Sequence, residues 1–327
     1  MRTTSSAFGV LLLLAMSNSA TAEQPAFVKK AHTYKTVGDL KIQADVYRAD
    51  DTKVRPVLVW IHGGALVTGN RAGVPKNLLD LCRDEGFVLV SIDYRLAPEA
   101  KLPDIIGDVD DAFRWLREDG PKLLKIDPNR MIVSGGSAGG YLTLTVGTRL
   151  KPKPKALVAY WGYGDVDGDW IAKPSEHYRK AVPLISKEDA LKAIGVKAIT
   201  GSEPDFDGKA RGRYYHYLRQ NGTWTKEVTG FDPVTDKAKL DMYCPVRIVT
   251  DAYPSTLMIH GTDDTDVPYD RSVEMGKALH DKMVGYELLT VKGAGHGLSG
   301  GDKKLVDATH ATVIDFIRKR LTLAKEK

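Results

Sequence analysis

From about residue 33 onward, short runs of β-branched and apolar residues alternate with segments of helical period. That alternation admits few architectures besides a mostly parallel sheet covered by helices on both faces. A strand buried on both faces reads as an unbroken apolar run, because neither side of the pleat meets water. Val57 to Ile61, Val88 to Asp93, Met131 to Ser134, Ala156 to Trp161, Thr256 to His260 and Tyr286 to Val291 are runs of this kind. Between them Pro75 to Asp84, Ile105 to Leu116, Ala138 to Thr148, Ser272 to Lys282 and Leu305 to Arg320 read as helices. The beginning differs: Leu40, Ile42, Ala44 and Val46 alternate with polar neighbours, as in a half-exposed antiparallel edge strand with Thr33 to Val37 as its partner.

One interval breaks the rhythm. More than ninety residues separate Trp161 from Thr256, where a crossover needs far fewer. The expectation is one catalytic domain over residues 23–327, with residues 162–254 inserted after the sixth strand as a helical lid over the carboxyl edge of the sheet. The insertion is rich in Tyr and Trp, including Tyr214, Tyr215, Tyr217 and Trp224. These either wall a substrate pocket or form a small core of the insertion's own.

Residues 1–22 carry Arg2, an apolar run from Phe8 to Met16 and the small residues Ala20-Thr21-Ala22. This is the pattern of a secretory signal peptide, too short in its apolar part for a membrane span. The mature chain is therefore expected to be exported, periplasmic or secreted, with no membrane span. Removal of the segment takes away only Arg2, so the net charge falls from +5 to +4. That excess is too small to indicate a nucleic-acid partner. Cys82 and Cys244 would survive export, and two separate buried thiols are favoured over one bridge because Cys82 lies on an apolar helical stretch.

Chemistry concentrates at turns. Gly135-Gly-Ser137-Ala-Gly139 lies between a strand and a helix, the context in which G-x-S-x-G holds a serine on a strained turn above the sheet edge. A serine hydroxyl needs an imidazole base and a carboxylate to orient it. His296, in Gly293-Ala-Gly-His-Gly297 after the last strand, can reach back over the sheet. Three carboxylates, Asp263, Asp264 and Asp266, compete in the loop after Thr256 to His260. Gly63 and Gly64 close another strand at the same edge, and their amides together with that of Ala138 can form an oxyanion hole. His62 and His260 read as strand-ending structural histidines. The residues call for no cofactor and no metal: no helix carries H-E-x-x-H, and two cysteines cannot build a thiolate site.

In this order, His62-Gly-Gly64, Asp93-Tyr-Arg-Leu-Ala-Pro-Glu99, Gly135 to Gly140, His260 to Pro268 and Gly293 to Gly297 resemble the motifs of the α/β-hydrolase superfamily, in its bacterial esterase and lipase branch. The chain is similar there to hormone-sensitive-lipase-like enzymes and acetyl-ester hydrolases over about residues 55 to 320. The resemblance implies an α/β-hydrolase fold with Ser137 as nucleophile, His296 as base and Asp264 as acid, the fifth residue of the H-G-T-x-D-x-x-V-P pattern. Asp263 and Asp266 are then solvated turn residues or local caps, while Asp93, Arg95 and Asp108 are structural. The chain departs from the pattern at Ala65, where a third glycine is common, and in lacking a large cap before the core. The expected activity is hydrolysis of a small-molecule or polysaccharide-linked carboxylic ester, with short acyl or aryl groups, possible acetyl and feruloyl esters included. A serine exopeptidase on the same fold and a non-catalytic binding protein are the alternatives, and the oligomeric state is left open.

Overall fold

The computed structural model describes residues 26–322; residues 1–22, which carry the signal-peptide pattern, lie outside the described residues. The strands are β1 (Phe27–Val37), β2 (Leu40–Ala49), β3 (Arg55–Ile61), β4 (Val88–Ile92), β5 (Ile126–Gly136), β6 (Ala156–Tyr160), β7 (Thr256–Gly261) and β8 (Tyr286–Val291). They form one sheet in the order β1-β2-β4-β3-β5-β6-β7-β8. β1 pairs antiparallel with β2, and β2 antiparallel with β4; every later pairing is parallel. The alternating pattern of Leu40 to Val46 thus marks an antiparallel edge, and the unbroken apolar runs are the parallel interior. β1 is longer than its apolar signal, because Phe27 to His32 pair with β2 through the backbone while their side chains stay largely in water.

The longer helices are α1 (Lys76–Glu85), α2 (Leu102–Glu118), α3 (Ala138–Arg149), α4 (Gly208–Asn221), α5 (Asp270–Asp281) and α6 (Lys303–Thr322). Strand alternation divides the core into two layers. Val57, Val59 and Ile61 of β3 face one layer with Phe113 of α2, Leu142 of α3 and Met275 of α5. Leu58 and Trp60 face the other, with Leu78 and Cys82 of α1 and Val313 and Ile317 of α6. Each such side chain contributes about 1.5–3 kcal/mol on leaving water. Cys82 and Cys244 are both free and buried, as two separate thiols.

The segment between β6 and β7 contains only one long helix, α4, among short ones of four to six residues. It has no core of its own. Val166, Ile171, Tyr214, Leu218, Trp224 and Val228 join the same buried cluster as β3 and α2. Trp224 is completely buried and Tyr214 nearly so. Tyr214 and Trp224 anchor the segment to the domain, while Tyr215 and Tyr217 pack partly buried against the same cluster and the Tyr215 hydroxyl donates to Asp266 in the loop after β7.

Candidate functional site

Ser137 sits between β5 and α3 with φ 57° and ψ −121°. A non-glycine residue in that region is strained and needs surroundings that enforce it. Here the neighbours do so. A Cβ on Gly135 would stand 2.4 Å from the Gly139 carbonyl oxygen, and one on Gly139 would stand 2.0 Å from the Ile61 oxygen. Only glycine lets β3, β5 and α3 close on one another. The Ser137 amide donates to the Tyr160 oxygen at 2.9 Å, fixing the turn to β6.

Gly63 packs directly on this turn: a Cβ there would lie 2.7 Å from the Gly136 oxygen and 3.2 Å from the Ser137 Cβ. Gly64 turns the loop at φ +108°, and its carbonyl accepts from the amides of Val67 and Thr68 at 2.9 Å each. The amides of Gly63 and Gly64 donate to no acceptor among the described residues. The amide of Ala138, first in α3, has no intrahelical partner and lies at the positive end of the helix dipole. Ala65 and Leu66 both have positive φ, 55° and 62°. Ala65 thus adopts the conformation for which a glycine is usual, and the strain is held from outside. The Trp224 indole donates to the Ala65 oxygen at 3.1 Å and Arg211 Nε to the Val67 oxygen at 2.7 Å. The His62 ring, stacked on Tyr94, donates from Nδ1 to the Gly63 oxygen at 2.8 Å. It therefore shapes this loop.

Across the sheet edge, His296 Nδ1 is 2.7 Å from Asp264 Oδ2. The second oxygen of Asp264 accepts from the amides of Asp266 and Val267, each at 2.9 Å. His260 adds a further contact, its Nε2 standing 3.3 Å from Asp264 Oδ2 while bonded to the Val267 oxygen at 2.9 Å. Burial opposes the charge on Asp264, but His260, His296 and the Val267 amide outweigh it and hold the carboxyl well below the usual range. For His296 burial favours the neutral ring, yet the hydrogen bond to Asp264 and the charges of Asp266 and Asp264 raise its pKa overall. Asp264 is thus an ionised, anchored partner for the imidazole. Asp263 is exposed and bonded to Thr262, as a turn residue.

Asp266 departs from expectation. It is not a solvated turn residue: its side chain is 18% exposed, and Oδ2 faces His296 Nε2 at 3.5 Å. Oδ1 accepts from Tyr178 at 2.9 Å, Tyr215 at 2.5 Å and Arg219 Nη1 at 2.8 Å. All three donors come from the insertion, and Arg219 is itself buried against the rings of Trp170, Tyr178 and Tyr215. Trp161, at φ 38°, places its indole edge-on to the His296 ring, with 6.2 Å between ring centroids.

A serine on a strained elbow, an anchored imidazole–carboxylate pair and free amides now share one edge of an open parallel sheet. The family model named BD-FAE matches residues 44–279, a span that includes Ser137 and Asp264 and ends before His296. The chain belongs to the BD-FAE family. This BD-FAE protein has the fold of the α/β-hydrolases. Esterase LipC of Mycobacterium tuberculosis is 28% identical over 298 residues, covering 86% of this chain and 64% of that protein. The non-reducing polyketide synthase prhL of Penicillium brasilianum is 27% identical over 363 residues. That match covers 94% of this chain and 14% of the synthase, so the chain spans a small part of such curated relatives. A solved α/β-hydrolase superfamily protein from Enterococcus faecalis superposes with a TM-score of 0.69 at 22% identity, covering 90% of this chain and 100% of that one. Its likeness is one of fold.

In the sequence of this BD-FAE chain Asp266 reads as a turn residue or local cap, His260 as a strand-ending histidine and Tyr215 as a pocket-wall or core aromatic, and no part in the site falls to Arg219, Tyr178 or Trp161. One signal was available: Arg211, Tyr215 and Arg219 recur every four residues, which places two arginines and a tyrosine on one face of α4.

Proposed function

We propose that this protein is an exported serine hydrolase that cleaves carboxylic esters of small or polysaccharide-linked alcohols, with short acyl or aryl groups. The observation that carries the reading is the Asp264–His296 pair at 2.7 Å on the same sheet edge as Ser137 at its left-handed elbow. Ser137 Oγ attacks the ester carbonyl as its proton passes to His296 Nε2. Asp264 stabilises the imidazolium formed, and the amides of Gly63 or Gly64 and of Ala138 receive the oxyanion. Collapse of the tetrahedral intermediate breaks the carbonyl carbon to alcohol oxygen bond, and His296 returns the proton to the departing alkoxide. Water, deprotonated by the same imidazole, then releases the carboxylic acid and regenerates Ser137.

The name of the mycobacterial esterase supports the reaction class, and Arg2 with the apolar run before Ala22 supports export. The test is stoichiometric labelling of the mature protein by a fluorophosphonate, with a rate panel of 4-nitrophenyl esters and aminoacyl anilides. Labelling lost in Ser137→Ala, with ester turnover falling by about 10⁶-fold, is the expected result. Anilide hydrolysis exceeding ester hydrolysis would make the protein a peptidase instead.

A further inference from the structure

The carboxylate of Asp266 divides its two oxygens between different tasks. Oδ1 takes three donors from the insertion, enough to fix the side chain. Oδ2 receives no hydrogen bond among the described residues. It faces His296 Nε2 at 3.5 Å, beyond the roughly 2.7–3.2 Å of an N–H···O bond. The side chain is 18% exposed, so water can meet this oxygen until a bound group displaces it. That group must then donate in its place or leave the carboxylate desolvated. The oxygen lies beside the atom that, in the proposed mechanism, hands a proton to the leaving alcohol. The leaving oxygen must come within hydrogen-bond reach of that same Nε2, so the alcohol half of the ester passes next to Oδ2.

Resting on the ester-hydrolase reading, we propose that Asp266 is a specificity-determining residue whose Oδ2 accepts a hydrogen bond from a second hydroxyl on the alcohol. The hydroxyl sits on the carbon adjacent to the ester oxygen's own, so the preferred substrates are monoesters of vicinal diols and polyols. A methyl group in the same place leaves the carboxylate oxygen desolvated without a donor. An anionic group there meets like charge. Arg219, Tyr178 and Tyr215 hold Oδ1, so the free oxygen keeps one direction and the discrimination is geometric as well as electrostatic.

Two acetate esters isolate the contact. In 2-hydroxyethyl acetate a hydroxyl replaces the terminal methyl of propyl acetate, at nearly equal size. The wild-type enzyme is expected to favour the hydroxylated ester in kcat/KM by about tenfold to a hundredfold, the range of a charge-assisted hydrogen bond. Asp266→Asn and Asp266→Ala should bring that ratio toward one, whatever they do to the absolute rates, since both esters share the acyl group and the triad. A second measurement needs no variant. During turnover of 4-nitrophenyl acetate, ethylene glycol should capture the acyl-enzyme in preference to propan-1-ol, as microscopic reversibility requires. A wild-type enzyme active on both esters with a ratio near one, or a ratio unchanged in both Asp266 variants, overturns the assignment to Asp266. Absence of activity on either ester and on 4-nitrophenyl acetate overturns the hydrolase reading itself.

Discussion

Replacing Arg211 by alanine tests how the segment between β6 and β7 supports the sheet edge that carries Ser137. Arg211 of α4 is 1% exposed and its partner Glu99 is 2% exposed. Its guanidinium donates to Glu99 Oε1 at 2.9 Å and Oε2 at 2.8 Å, to the Ala97 oxygen at 2.6 Å and to the Ala193 oxygen at 3.2 Å. Its Nε donates to the Val67 oxygen at 2.7 Å. Truncation leaves Glu99 buried, with the Gly195 amide at 2.9 Å as its one remaining hydrogen bond among the described residues. Removing one member of a buried pair costs about 3–5 kcal/mol, chiefly through the charge left behind. The stranded carbonyls of Val67 and Ala97 act in the same direction, though such terms do not simply add. At about 2 °C per kcal/mol for a large domain, the melting temperature should fall by about 6–10 °C.

The same change should reach the chemistry. Val67 donates to the Gly64 carbonyl that shapes the turn beside Ser137, so releasing the Val67 carbonyl loosens the loop whose amides receive the oxyanion in the proposed mechanism. Well below the transition temperature, kcat for 4-nitrophenyl acetate should fall more than KM rises, because the loss is felt in the transition state. The double variant Arg211→Met with Glu99→Gln, which removes both charges, should recover much of the stability. Calorimetry and steady-state kinetics on the three proteins decide the matter. A single variant that melts within about 2 °C of wild type, or a double variant less stable than the single, would refute the reasoning.

Three further outcomes follow from the site. Gly139→Ala should abolish ester turnover and cost at least about 1–3 kcal/mol, because a Cβ would meet the Ile61 oxygen at 2.0 Å and the His62 oxygen at 2.6 Å; a soluble, fully active variant would contradict the elbow's packing. The proposed reaction needs neutral His296, whose pKa is raised, so kcat/KM should fall as pH drops through that raised value. Asp264, Asp266 and Arg219 are the charged groups that act on the ring, and Trp161 is the aromatic beside it. Asp266→Asn removes a charge that favours the imidazolium, so the acid limb of the pH profile should move to lower pH; movement to higher pH would show that the carboxylate does not act on the base.

How far the amino-acid sequence reveals this molecule depends on how local each signal is. The parallel strands were legible because a residue run buried on both faces excludes polar side chains, whatever lies beyond it. The elbow was legible for a similar reason: Gly135 and Gly139 are demanded by backbone contacts within a few residues of Ser137 and by a single neighbouring strand. Asp264 emerged from its register within a motif, and the structure places it on His296.

Asp266 was misread because its environment is made by residues far away in the chain. A carboxylate two positions from another in a polar turn has, locally, every reason to face water. What buries it is Tyr178, Tyr215 and Arg219, 88, 51 and 47 residues distant. Those three are brought there by Tyr214, Leu218 and Trp224, which are themselves ordinary core residues. The period of α4 announces an apolar side and an Arg-Tyr-Arg side but cannot say what the second side meets. The apolar face of the insertion decides where it sits, and its polar face, as a consequence, completes the surroundings of the His296 ring.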